Sequence, residues 1–508
     1  MNPERYILAI DQSTSGTKAL VVDRSGNVIA RSSKEHKQYY PQPGWVEHDP
    51  LEIYENVIAT ALSCMEKAGI ASGDIATLTL TNQRETALIW DRVTGLPIHN
   101  AIVWQCQRTA QICVQYQESK YEQLVTNKTG LMLDPYFSAT KLQWLLDHVD
   151  GARDLAAEGR LLAGTIDSWI IWKLSGGIVH ATDYTNASRT SLFNIHTLQW
   201  DEELCSLFHV PSSLLPMVKP SDTIFGYTKD PSIFDVEIPI SGIIGDSQGA
   251  LFGQMCHQPG MAKATYGTGT SVMMNIGEKP MTCGEGLVTT IAWGANGTVT
   301  YALESVLRTT GDSIKWIRDN LGLFTTFDEM QALLKSIPSN EGVYLVPAFV
   351  GMGAPYWDPF ARAAIMGMNR STGRGHIIRA ALESIAYQVK DSVMFLQEKS
   401  GIPLSELRAD GGASANDWLM QFQADLLDHP LTRSTCAELS AMGSVYLGGL
   451  ATDFWSDLDL ADLASSSNLY ESFTPNMSEA IRQQLYSGWK DAVLTVVHTK
   501  DTASIEVV

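Results

Sequence analysis

An apolar run, a turn of serine, threonine and glycine, and a second apolar run occur twice in this chain, about 250 residues apart. Tyr6 to Ile10 leads into Asp11-Gln12-Ser13-Thr14-Ser15-Gly16-Thr17-Lys18 and on to Ala19–Val22. Ala264-Thr265-Tyr266-Gly267-Thr268-Gly269-Thr270-Ser271 leads into Val272-Met273-Met274. Each reads as a hairpin whose tip exposes backbone N–H groups and hydroxyls. One such tip is ordinary turn chemistry. Two at this separation predict a duplicated α/β architecture in which each half offers a loop to one cleft. A length of 508 residues allows two large domains.

Two other places predict strand ends that carry carboxylates. Ile240 to Gly245 is apolar and stops at Asp246-Ser247-Gln248, with a helix expected from Ala250. Leu407 to Asp410 stops at Gly411-Gly412, and Trp418, Leu419, Phe422 and Leu426 then follow helical spacing. Such strand ends are where α/β proteins place ligands, although Asp-Gly-Gly is also a generic turn. His257, Gln258, Pro259 and Gly260 break the pattern, which sets the expected boundary between domains at 1–255 and 256–508. A helical tail is expected from about Asp453, with Ser478 to Val497 as its helix.

Composition removes several classes. Apolar residues are 44% and charged residues 18%, so disorder over most of the length is excluded. The net charge of −20 includes no basic stripe, and nucleic acid is not an expected partner. The seven cysteines are scattered without a C-x-x-C pair, which fits a reducing compartment with no zinc site or disulfide framework. No apolar run reaches membrane-spanning length, and Met1 to Arg5 has no signal-peptide character. The expectation is a soluble cytoplasmic protein without membrane insertion.

The chain contains neither G-x-x-x-x-G-K-[ST] nor a strand followed by G-x-G-x-x-G. Hairpin loops can still hold phosphates through converging N–H groups and hydroxyls. A nucleotide between the halves near Asp11 and Asp246 would need Mg²⁺, which is usually held through waters and one or two carboxylates. Solvated turns account for the same spacing equally well. The cluster Thr81-Asn82-Gln83-Arg84-Glu85-Thr86 follows Ile75 to Leu80. An adjacent Arg–Glu pair on a strand points to opposite faces unless a bend intervenes, and otherwise forms a surface pair of little value. With Trp90, Trp104 and Tyr136 as walls, the pair would suit a neutral polyhydroxy ligand, although each tryptophan taken alone reads as core.

Longer motifs carry a resemblance. Asp11-Gln12-x-Thr14, Pro43 to Pro50, Thr81 to Thr86, Ile102 to Cys106, Asp134 to Ser138, Thr265 to Gly269, Gly353 to Pro359 and Asp410 to Gly412 resemble the glycerol kinases of the FGGY carbohydrate kinase family. The two signatures of that family fit Tyr136–His148 and Ala363–Glu383, and the likeness runs from about residue 5 to about residue 490. The resemblance implies two actin-like (ribonuclease H-like) domains with ATP and substrate in the cleft between them. It implies ATP-dependent phosphorylation of a terminal hydroxyl of a small polyol, glycerol foremost, with Asp246 as general base. Arg84, Glu85, Trp104, Tyr136, Asp246 and Ser247 would face the polyol. Thr14, Ser15, Gly16, Lys18, Thr268, Gly311, Lys315, Gly412 and Asn416 would serve ATP. Asp11 would hold Mg²⁺ through water, and a homodimer or homotetramer is expected.

Some positions depart from the family pattern. Lys18 stands for an Arg and loses its bidentate fork. Ser247 stands for a Gln and Ser271 for a Phe at the polyol site, and Lys315 stands for a Gln at the nucleotide site. These keep a kinase for a four- or five-carbon polyol or ketose as the alternative. An actin-like ATPase lacks a use for Arg84, Glu85 and Tyr136, and a non-catalytic sugar sensor lacks a reason to keep Asp246.

Overall fold

The computed structural model describes residues 5–284, 286–353, 355–358, 360–456 and 470–497. Two large sheets organise these residues. The first has six strands in the order Ile224–Tyr227, Pro239–Gly245, Ile75–Asn82, Tyr6–Gln12, Gly16–Val22 and Val28–Glu35. Its three middle strands, from Pro239–Gly245 to Tyr6–Gln12, run parallel, and antiparallel strands flank them. The second sheet has seven strands. In it Met261–Tyr266, Glu406–Asp410 and Leu431–Ser434 run parallel, Thr270–Gly277, Thr298–Leu307 and Val288–Ala295 continue antiparallel on one side, and Tyr470–Phe473 closes the other. The two sheets therefore repeat one order, a hairpin followed by two parallel crossovers, as the duplicated turns suggest.

The repeat fixes where loops emerge. Each hairpin tip, each end of the second parallel strand and each end of the third lies at the same edge of its sheet. Parallel strands are covered on both faces, so they need not alternate. Ile75–Asn82, whose first residues alternate in polarity, is buried at all eight positions. The helix Asp246–Gly253 begins directly at Asp246, four residues before the helix start expected from the sequence. Here Asp246 occupies the first turn, where an acidic side chain suits the helix dipole.

The halves meet through two helices in equivalent positions, Asp246–Gly253 and Leu439–Ala451. Their backbones touch. A Cβ placed on Gly443 would lie 2.0 Å from the carbonyl oxygen of Gly249, so any side chain there would force the halves apart. Around this contact Ile244, Leu251, Phe252, Ala441, Val445 and Met273 form an apolar core shared by both sheets. Each half also has its own core, the larger packed against the long helix Arg374–Ser400.

A small four-stranded sheet, Glu47–His48, Ala101–Ile102, Ala87–Asp91 and Leu161–Thr165, is inserted in the first half and brings Trp104 and Tyr136 toward the cleft. Residues 254–260 link the helix ending at Gly253 to the strand starting at Met261. Beyond Asp453 the chain is not helical throughout. Tyr470–Phe473 is an edge strand, and the helix Glu479–Val496 follows. Residues 457–469 and 498–508 of that tail lie outside the described residues, as do residues 1–4 and positions 354 and 359 of the Gly353–Pro359 motif.

Candidate active site

The strand ends of both sheets open onto one cleft of about 1250 Å³. The first half contributes Thr14 from its hairpin tip, Arg84 and Glu85 from the end of Ile75–Asn82, and Asp246 with Ser247 from the end of Pro239–Gly245. The second half contributes Gly267, Thr268 and Gly269 from its hairpin, Gly411 and Gly412 after Glu406–Asp410, and the Ser434–Ala437 segment after Leu431–Ser434.

Glycines allow the tight turns. Gly411 has φ 89°, and a Cβ there would lie 2.6 Å from the carbonyl of Tyr266. Gly311 abuts the second hairpin. Its N–H donates to Gly267 at 3.1 Å, and a Cβ there would meet that same oxygen at 2.4 Å. The amides of Thr310 and Asp312 bond the carbonyl of Thr268 at 2.9 and 3.1 Å, which pins the tip to a helix N-terminus. The first tip is held differently. Trp104 Nε1 donates to Thr14 Oγ1 at 2.9 Å, and Gln38 Nε2 donates to the Thr14 carbonyl at 2.8 Å.

Arg84 and Glu85 do share the cleft, because the strand ends before them and the chain bends. Glu85 has φ 61°, and the amide of Thr86 reaches the carbonyl of Arg84 at 2.7 Å, a three-residue turn. Ser138 Oγ donates to the Glu85 carbonyl at 3.0 Å and steadies that turn. Both side chains then enter a ring of buried charges. Arg84 pairs with Glu304 at 3.2 Å, Glu304 with Arg189 at 3.0 Å, and Arg189 with Glu85 at 2.5 Å, while Glu85 lies 4.0 Å from Arg84 Nε. The same Nε reaches Asp246 at 3.0 Å, and Asp246 turns its partly exposed carboxylate into the cleft.

The ring explains its own titration. Burial, the strongest influence on Glu304, pushes its carboxyl up, but Arg84 and Arg189 beside it carry it well below the usual range. For Glu85 burial wins and the pKa rises, with both arginines opposing. Neighbouring walls are aromatic. Trp104 and Tyr136 meet edge to face at 5.5 Å, and the Arg189 guanidinium lies 5.7 Å from the Tyr136 ring. Lys141, wholly buried, donates to the carbonyls of Pro135, Tyr136 and Phe137 and so holds the turn that carries Tyr136. Burial lowers its pKa to about 8.

Trp90 is a correction. It is fully buried against Trp169, Trp172 and His180 and takes no part in the cleft. Ser271 does line the cleft, and its hydroxyl donates to Glu304 at 3.1 Å. Ser15, Gly16, Lys18, Gly311, Lys315 and Asn416 stand outside the cleft lining. Lys18 pairs with Glu438 at 3.2 Å, Lys315 is exposed on its helix, and the Asn416 side chain caps the helix Asp417–Leu427. Asp11 is almost buried at the end of its strand. Burial pushes its pKa up to about 7, Lys18 opposes this, and Asp246 and Glu438 add to it.

Glu304, Arg189 and Lys263 are absent from the sequence-based site. A signal existed for Glu304 and Lys263: each is the single charged residue of its strand, Thr298–Leu307 and Met261–Tyr266. Arg189 lies in a polar stretch, Thr185 to Ser191, that offers none.

Duplicated sheets meeting at a cleft of strand ends define the two-domain α/β fold of the actin-like, ribonuclease H-like kinases. The N-terminal domain model of the FGGY family of carbohydrate kinases matches residues 6–253, and the C-terminal domain model matches residues 262–452. The chain belongs to the FGGY family of carbohydrate kinases. It is 51% identical over 490 residues to glycerol kinase 2 of Thermotoga maritima, covering 96% of this chain and 98% of that one. It is 52% identical over 489 residues to a glycerol kinase of Caldanaerobacter subterraneus, with the same coverage. Among solved structures, Plasmodium falciparum glycerol kinase with ADP superimposes with a TM-score of 0.92 at 36% identity, covering 98% of this chain and 99% of that one.

Proposed function

We propose that this chain transfers the γ-phosphoryl group of ATP to a terminal hydroxyl of glycerol, forming glycerol 3-phosphate. The observation that carries the reading is the Asp246 carboxylate, held by Arg84, in the one cleft that residues of both hairpin tips also line. Identity of about half the residues to curated glycerol kinases over nearly the whole chain supports the choice of acceptor.

The chemistry follows from the parts. Arg84, Glu85, Trp104, Tyr136 and Ser247 bind the polyol, its carbon face on the aromatic walls and its hydroxyls on the guanidinium and carboxylates. The acceptor oxygen attacks the γ-phosphorus in line, the bond to the bridging oxygen of ADP breaks, and Asp246 takes the acceptor proton late in a loose transition state. Catalysis is then mostly positioning and charge neutralisation. Thr14, Ser15, Gly16 and Lys18 on one side and Thr268, Gly311, Lys315, Gly412 and Asn416 on the other serve the nucleotide.

Magnesium fits the residues present. Asp11 is a buried carboxylate whose pKa is raised first by burial and then by Asp246 and Glu438, with Lys18 opposing. Among the described residues no group of three or more His, Cys, Asp or Glu could cage a metal. That suits an ion held by one or two carboxylates, water and substrate phosphates. When bound, it neutralises charge on the β- and γ-phosphates. We further propose that the functional halves are 1–255 and 256–508, and that the protein works in the cytoplasm as a homodimer or homotetramer. No helix among the described residues is long and apolar enough to cross a membrane.

A second reading rests on Ser247 and Ser271, two small hydroxyl residues on the cleft wall, which leave room for a polyol or ketose of four or five carbons. ATP turnover measured over glycerol, dihydroxyacetone, tetritols, pentitols and ketopentoses tests both. Fastest turnover with glycerol is expected. ADP release with none of these acceptors would overturn the kinase reading.

A further inference from the structure

The cleft contains a buried ammonium to which neither hairpin nor polyol wall lays claim. Lys263 sits in the strand Met261–Tyr266, whose end becomes the second hairpin tip, and is 1% exposed. A lysine in a central strand of an otherwise apolar run is costly unless its charge is used. Its strand neighbours are Met273 on one side and Arg408 on the other, so no carboxylate faces it across the ladder. Its Nζ makes a single hydrogen bond, to Thr265 Oγ1 at 2.9 Å, although an ammonium has three donors. Two N–H groups therefore remain for something that enters the cleft, which Lys263 lines.

Position says what that is. Burial lowers the pKa of Lys263, and the charges that act on it come from both ends of the cleft. Asp410 at the foot of the Gly411-Gly412 turn and Glu304 and Asp246 at the acceptor end favour the ammonium, while Arg84 opposes it. All but Arg84 of these groups are carboxylates, and all line the same cleft as Lys263. Lys18, near the first hairpin, is paired with Glu438 and lies outside the cleft lining, and Arg308, which lines the cleft beside the second hairpin, is exposed rather than buried.

We propose that Lys263 is a catalytic residue whose ammonium contacts the equatorial oxygens of the phosphoryl group during transfer. The inference rests on the kinase reading above. As the bond to the ADP oxygen lengthens and the bond to the acceptor oxygen forms, negative charge is spread over three equatorial oxygens. A fixed donor in a site screened from water stabilises that charge without reorganising. The proton of the acceptor still goes to Asp246, and Lys263 keeps its own. Asp410, which makes no direct ion pair with it, is the carboxylate that most favours its charged form. Burial raises the pKa of Asp410, and Lys263 works against that rise.

The alternative is a purely structural counter-ion, and ligand binding separates the two. Lys263→Met keeps the length and removes the charge. Turnover of glycerol should fall roughly 10²- to 10³-fold, the usual cost of one transition-state donor. In calorimetry with magnesium, affinity for a non-hydrolysable imido analogue of ATP should fall about 10- to 100-fold, the worth of a hydrogen bond to a charged group. Affinity for glycerol and for ADP, which lacks the γ-phosphoryl group, should stay unchanged within error. Retention of more than a tenth of wild-type turnover, or equal weakening of ADP and the analogue, overturns the proposal. If Lys263→Met does not fold, Lys263→Gln, which keeps a donor, carries the same measurements. Wild-type turnover tests the kinase reading separately, so its failure is not confused with failure of this one.

Discussion

Nε of Arg84 lies 3.0 Å from a carboxylate oxygen of Asp246, joining the ends of two parallel strands across the mouth of the cleft. The contact leaves the remaining carboxylate surface facing the space where an acceptor hydroxyl sits, and the backbone amide of Ser247 bonds the same side chain at 2.6 Å. Orientation of the Asp246 carboxylate, the proposed base, is therefore set before substrate arrives.

Asp246→Asn should abolish phosphoryl transfer with little effect on folding. Loss of a general base typically costs about 10²- to 10⁴-fold in turnover. The expected result is a kcat reduced within that range and an unchanged affinity for ATP by calorimetry. A kcat above a tenth of wild type would remove Asp246 from the role.

Glu304→Gln should destabilise the protein far more than a comparable surface change. It leaves the Arg84 and Arg189 guanidinium groups, both buried, without the carboxylate that bridges them. Breaking a buried pair from one side costs roughly 3–5 kcal/mol. Glu203, mostly exposed beside Lys128, supplies the control, where Glu203→Gln should cost less than about 1 kcal/mol. Denaturant titrations of the two variants followed by tryptophan fluorescence make the comparison, and equal midpoints would show that the ring is not a structural unit.

Asp11 predicts a pH dependence of stability. Its folded pKa of about 7 exceeds the ordinary aspartate value of 3.8, so the folded state binds the proton more tightly than the unfolded chain. Its contribution is fully present below about 3.8, is lost as pH rises toward 7, and stays lost above that. Asp167 is also raised to about 7, so the comparison must be with a variant rather than with pH alone. Asp11→Asn should melt higher than wild type at pH 8, by a smaller margin at pH 5, converge with it only below about 3.8, and lose magnesium-dependent turnover. Addition of magnesium and ATP should narrow the difference at pH 8 from the wild-type side. A variant that melts lower than wild type at pH 8 would contradict the raised pKa.

Ser271→Phe should narrow the range of acceptors. Ser271 points its hydroxyl at Glu304 beside Arg84, so a phenyl ring there fills the wall of the polyol end. One added carbon is worth about 10- to 200-fold in a fitted pocket. The ratio of kcat/KM for glycerol to that for a tetritol should rise by at least tenfold in the variant. An unchanged ratio would place Ser271 outside the specificity wall.

Local patterning explains how much was legible beforehand. The two hairpin tips, the strand ending at Asp246 and the turn at Gly411-Gly412 depend on residues next to one another: apolar runs for the strands, small polar residues for the turns. The spacing of those signals also foretold the duplication. Trp90 shows the limit. An aromatic residue near a polar cluster reads the same whether it walls a ligand or fills a core, and only packing against Trp169 and Trp172 places it in the core.

Long-range electrostatics were not legible. Arg189 meets Glu85 across 104 positions, and Arg84 meets Glu304 across 220, from the other half of the molecule. No local rule selects these partners, because burial of a charge is favourable only once its counter-charges have arrived from distant strands. The bend at Glu85 belongs to the same class. A non-glycine residue at φ 61° is held by its surroundings, here the Ser138 bond and the Arg189 pair, and not by its own preference. Sequence thus settles which loops and carboxylates reach the cleft edge, since short-range chain geometry governs turns. Which charges face each other inside depends on packing the two sheets, because Coulomb partners are chosen by proximity in space.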